Sequence, residues 1–67
     1  MILLEKYRKE KGFSIRQLSI QSGVSRTYIT GIEEGVYDNP GIKIVCALCR
    51  TLEVSPNKLI EKEYWSN

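Results

Sequence analysis

The chain contains no histidine, and only two cysteines, two prolines, one tryptophan, one phenylalanine and one methionine in 67 residues. Without histidine, a Ser–His or Cys–His nucleophile system and the zinc ligand sets that include histidine cannot be assembled. Cys46 and Cys49 form a C-x-x-C with no second pair, so a zinc site would have to recruit carboxylates or another chain. A thioredoxin-like use of that motif needs a βαβ context. None is offered: no stretch alternates as a strand, and no Asn-Gly or Asp-Gly hairpin turn occurs. The i, i+3 spacing instead places both sulfurs on one helix face with Val45, Leu48 and Leu52, as small core residues. A glycine-rich phosphate loop is also missing. Neither an enzyme, a metal nor a cofactor is expected. Long apolar runs are absent as well. Met1-Ile2-Leu3-Leu4 is too short for a signal-peptide core and meets Glu5 and Lys6 at once. Nothing approaches the ~20 residues of a transmembrane helix. A cytoplasmic protein with no membrane partner follows by default.

What is present suits one domain over residues 1–67, with 42% hydrophobic and 27% charged residues. A chain this small buries only ~60% of its unfolded surface, leaving little room for a lidded active site beside a core. The net charge is +2 but unevenly spread. Residues 1–26 carry six basic against two acidic side chains, and residues 27–67 carry four against six. The basic half is able to face a polyanion while the acidic half faces away.

Helix punctuation is dense, and the expected fold is all-α with five helices. The first spans about Ile2 to Lys11, carries Leu3, Leu4 and Tyr7 at helical spacing, and stops at Gly12. Ser14 and Gln17 form a capping box for the second, with Phe13 stapled to Leu18, and Ile15, Leu18 and Ser19 turn inward until Ser22-Gly23. Ser25 caps the third; Val24 and Ile29 repeat the staple, Ile32 continues the inward stripe, and Gly35 ends it. Asn39-Pro40 reads as a cap followed by a first-position proline. The fourth helix then runs to about Leu52, burying Ile42, Val45, Cys46, Leu48, Cys49 and Leu52. Ser55-Pro56 starts the fifth, with Val54 stapled to Leu59 and an end near Lys62.

The segment from about Ser14 to Gly35 meets four constraints of a helix-turn-helix together. Ser19 is small where the next helix crosses. Gly23 sits where a positive φ is needed. Val24 plugs the turn, and Ile29 and Ile32 hold the second helix on the core. The N-terminus of that second helix projects outward, as an element that enters a DNA major groove does. The N-terminus at Ser14 suits a phosphate.

The run Arg8-Lys9-Glu10-Lys11-Gly12-Phe13-Ser14-Ile15-Arg16-Gln17-Leu18, then Ser22-Gly23-Val24-Ser25, Ile29-x-x-Ile32-Glu33-x-Gly35 and Leu52-x-Val54-Ser55, resembles the Cro/C1-type (XRE-like) helix-turn-helix family. The resemblance covers about Leu3 to Ile60. It implies a five-helix lambda-repressor-like domain, double-stranded DNA as partner, transcriptional regulation and a homodimer on a two-fold-related operator. It also implies that Arg8 and Glu33 form a structural ion pair. Base-reading positions carry over to Arg26, Thr27 and Gly31. Arg26 is suited to a bidentate guanine contact and Thr27 to a thymine methyl. Gly31 has no side chain to read with; it either allows closer approach to the groove or reads nothing. Candidates for the DNA backbone are Ser14, Arg16, Gln17, Ser25, Tyr28, Thr30 and Lys43. Leu59, Ile60, Tyr64 and Trp65 are candidates for the interface between copies. The loop Val36-Tyr37-Asp38 departs from the family in carrying no cation before Lys43.

A repressor that occupies its operator is the simplest function. The alternative is a protein-interaction module on the same fold, such as an antitoxin or a restriction–modification controller subunit. With no ligand-sensing segment after the fifth helix in these residues, no small-molecule ligand is expected, and control rests on the protein's own concentration.

Overall fold

The computed structural model describes residues 3–37 and 39–59. Five helices form among them: α1 (Leu4–Glu10), α2 (Ile15–Ser22), α3 (Arg26–Glu33), α4 (Ile42–Leu52) and α5 (Pro56–Leu59). No strand occurs among the described residues, and none of their helices is long and apolar enough to cross a membrane.

The polar caps set the local boundaries. Ser14 Oγ accepts from the Gln17 N–H at 3.0 Å while Gln17 Oε1 accepts from the Ser14 N–H at 2.9 Å, so both halves of the capping box form. Ser25 Oγ accepts from the Tyr28 N–H at 3.1 Å and starts α3. Between them Gly23 takes φ 81°, which reverses the chain within a three-residue turn.

α2 lies at the centre, packed on both α3 and α4; α1 rests on α3, and α5 closes against α4. The core holds Leu4, Leu18, Val24, Ile29, Ile32, Val45, Leu48, Cys49, Leu52 and Leu59, with Tyr7, Phe13 and Ile15 among the half-buried residues around it. Each fully buried leucine contributes ~1.5–3 kcal/mol. The Leu3 N–H donates to the Leu59 carbonyl at 2.7 Å and ties α1 to the end of α5.

Several expectations are corrected. α1 begins at Leu4 rather than Ile2, although it closes at a left-handed Gly12 as expected. α4 begins later than Pro40: Gly41 is the N-cap, in extended conformation and without a side-chain cap, and Pro40 is buried ahead of the helix. Ile42 is 71% exposed and Cys46 is exposed, whereas both were expected in the core. The inward stripe is the narrower set Val45, Leu48, Cys49 and Leu52. Cys46 lies ~100° around the helix from Val45 and misses it. Leu59, a candidate for the interface between copies, is fully buried inside the protomer, so its side chain is committed to the core. Ile60, Tyr64, Trp65 and the expected end of the fifth helix near Lys62 lie outside the described residues.

α4 ends on Glu53 in the left-handed region, φ 56° and ψ 43°, with the Val54 N–H reaching back to the Cys49 carbonyl at 3.1 Å. A side chain there is strained where glycine is not. Glu53→Gly is therefore expected to raise stability by about 0.5–1 kcal/mol, read as a higher urea midpoint. Burial pushes the Cys49 thiol pKa up, with Cys46 adding to the shift. Iodoacetamide should label Cys46 at least about tenfold faster than Cys49 in the native protein, by peptide mass spectrometry, since access and thiolate content control the reaction.

Candidate nucleic-acid interface

Two helix N-termini open onto one surface. At α2, the capping box consumes the Gln17 carbonyl oxygen, and the NH₂ group of this exposed side chain remains as a donor. Arg16, one residue earlier, is exposed. At α3, Arg26 and Thr27 are exposed in the first turn and Thr30 is half-buried one turn on. An open groove runs between them. Ile15 and Arg16 of α2, Arg26, Thr27, Thr30 and Gly31 of α3, and Glu34, Val36 and Tyr37 after it line this groove. Two arginines against one glutamate leave this surface net positive, as a polyanion site requires.

The two termini are held in register by one guanidinium. Arg8 Nε donates to Glu33 Oε2 at 2.6 Å and Nη2 to Glu33 Oε1 at 3.1 Å. Its Nη1 donates to the Phe13 carbonyl at 2.9 Å, immediately before the Ser14 cap. Arg8 thus joins α1, the entry to α2 and the last turn of α3. Both ion-pair side chains are at most 10% exposed. The carboxylate hydrogen bond pushes the Arg8 pKa above its ordinary value, against the opposing effect of burial.

The family model described as a helix-turn-helix domain matches residues 2–64. The chain belongs to this helix-turn-helix family. Its relatives include the HTH-type transcriptional regulator SlrR of Bacillus subtilis, 43% identical over 61 residues, which are 91% of this chain and 40% of SlrR. SinR of the same organism is 33% identical over 61 residues, 91% of this chain and 55% of SinR. This helix-turn-helix chain therefore spans roughly half the length of these regulators or less. Among solved structures, SinR in complex with DNA superposes with a TM-score of 0.83 at 34% identity, covering 87% of this chain and 92% of that one.

The helix-turn-helix places the expected contact residues unevenly. Arg16, Arg26, Thr27 and Thr30 line the groove together. Ser14 and Gln17 flank it at the α2 cap, and the Ser25 oxygen is taken up as the α3 cap. Lys43, exposed in the first turn of α4, does not line it. Tyr28 is half-buried, its ring stacked on Tyr37 with centroids 4.6 Å apart and planes at 24°. Sequence reasoning missed Ile15, Glu34, Val36 and Tyr37 as groove residues. For Tyr37 the available signal was Gly31: a glycine inside a short helix marks a close approach by something else.

Removing Glu33 would leave Arg8 desolvated without its partner. Glu33→Ala is expected to cost about 3–5 kcal/mol in urea denaturation. The pair replacement Arg8→Met with Glu33→Leu should cost much less than the two single changes summed, because no charge is then stranded.

Proposed function

We propose that this domain binds double-stranded DNA sequence-specifically, with the N-terminal turn of α3 in the major groove, and regulates transcription. The observation that carries this reading is the joint exposure of Arg26 and Thr27 at the N-terminus of α3, lining one groove with the exposed Arg16 of α2. That is the division of labour DNA recognition requires: base-edge contacts from one helix start, phosphate contacts from its neighbour. Similarity to SinR, whose structure includes DNA, supports the same reading. Arg26 would take guanine O6 and N7, and Thr27 a thymine methyl. Ser14, Arg16, Gln17, Thr30 and, from further away, Lys43 would hold the sugar–phosphate backbone. The domain would meet such a DNA target in the cytoplasm.

A reading surface this small is suited to two copies on a palindromic operator, with recognition helices ~34–36 Å apart. Ile60, Tyr64 and Trp65 remain the residues we propose for the contact between copies. Occupying an operator to exclude polymerase, as a repressor, is the simplest consequence.

Selection of bound sites from random duplex DNA tests the reading. The selected sequences should show two inverted half-sites one helical turn apart. Arg26→Ala should weaken binding to the selected duplex by about 10–100-fold, the scale of one lost bidentate base contact, with little change on unrelated DNA. Retention of full affinity and preference by Arg26→Ala and Thr27→Ala would show that α3 is not the reading helix.

A further inference from the structure

Gly31 is on the outward face of α3, four residues after Thr27, yet it is buried. The covering group is the ring of Tyr37. A Cβ at position 31 would lie 2.6 Å from Tyr37 Cδ2 and closer still to Cε2, inside any real carbon–carbon contact. The ring is also stacked on Tyr28.

The backbone brings Tyr37 there. Gly35 adopts φ 81°, and its N–H donates to the Ile32 carbonyl at 3.2 Å while the Val36 N–H donates to the Gly31 carbonyl at 2.8 Å. This is the paired closure that ends a helix on a left-handed glycine, and it folds the next residues back along the helix. The Tyr37 N–H adds a second, longer bond to the same Gly31 carbonyl at 3.3 Å. Tyr37 remains 40% exposed in this position and lines the same groove as Arg26 and Thr27.

We propose that Tyr37 is a specificity-determining DNA contact, taking from the loop the place on the reading face that a side chain at position 31 would otherwise hold. The proposal rests on the DNA-binding reading above. Five residues separate positions 26 and 31, about 7.5 Å along a helix, so with α3 lying along the groove the Tyr37 ring would stand about two base pairs from the pair that faces Arg26. A phenol at that edge offers a hydroxyl that donates or accepts and a ring edge that meets a thymine methyl. Glycine at position 31 is then the condition that lets a loop residue read, and not a silent position.

The experiment measures binding of the full chain to the duplex selected by the wild type and to every single-base-pair change of it, by fluorescence anisotropy at one salt concentration. In the wild type, changes about two base pairs from the Arg26-dependent pair should weaken binding at least about tenfold. In Tyr37→Ala those penalties should fall below about threefold while the Arg26-dependent penalties persist. Gly31→Ala, which forces the ring off its seat, should give the same altered pattern although it retains Tyr37. Thermal unfolding of both variants separates folding from reading. If both remain folded and keep the wild-type penalties at every base pair, Tyr37 is packing only and the proposal is overturned. A wild type with no sequence preference, or one indifferent to Arg26→Ala, overturns the DNA-binding reading itself and this proposal with it.

Discussion

The Arg8 guanidinium is the constraint on which the rest of the domain depends. Three of its five donors are used, two on Glu33 and one on the Phe13 carbonyl. Those partners belong to the end of α3 and to the entry of α2. The group therefore fixes the angle between the two helices whose N-termini form the candidate interface. A hydrophobic side chain of similar volume would fill the space without setting that angle, because dispersion contacts have no preferred direction. A planar fork bound at both ends does. Burial makes the arrangement an orienting device more than a source of stability, since the desolvation of both charges offsets much of their attraction.

Around that fixed angle, the polar groups of the caps have second uses. Ser14 and Gln17 satisfy one another at the start of α2, and in doing so leave the glutamine NH₂ group as a spare donor on an exposed side chain. Gly35 ends α3, and in doing so returns Tyr37 to the surface of the helix it has just left. Local backbone chemistry thus reaches the groove through two short steps, each a hydrogen-bond requirement at a helix end. The groove that results contains few charges for a nucleic-acid surface, Arg16 and Arg26 against Glu34. Its shape owes much to the Tyr37 ring, which covers Gly31 and stacks on Tyr28.

Most of this architecture was legible from residue order. Ser14-x-x-Gln17, Ser25 and the glycines at 12, 23 and 35 mark helix ends by chemistry that operates within four residues, and those ends appear where the pattern puts them. Arg26 and Thr27 follow from the same logic, because the residues after a cap must project from it. Reading was weaker where burial depends on more distant neighbours. Ile42 and Cys46 lie on an apolar helix, yet a helix of this length offers the core only one stripe, and both fall outside it. Pro40 has the residue type for a first helical position, but the chain stays extended through Gly41.

The sequence by itself determined the five-helix order, the helix-turn-helix and the outward start of α3, because caps, staples and periodicity are short-range and each is encoded in adjacent residues. Only the tertiary structure decided that Arg8, besides pairing with Glu33, also reaches the Phe13 carbonyl and so joins the end of α3 to the entry of α2. It alone also placed the Tyr37 ring on Gly31 and gave Leu59 wholly to the core. Those outcomes depend on which surfaces meet after the helices pack, and a missing side chain such as that of Gly31 acquires meaning only when its neighbour in space is known.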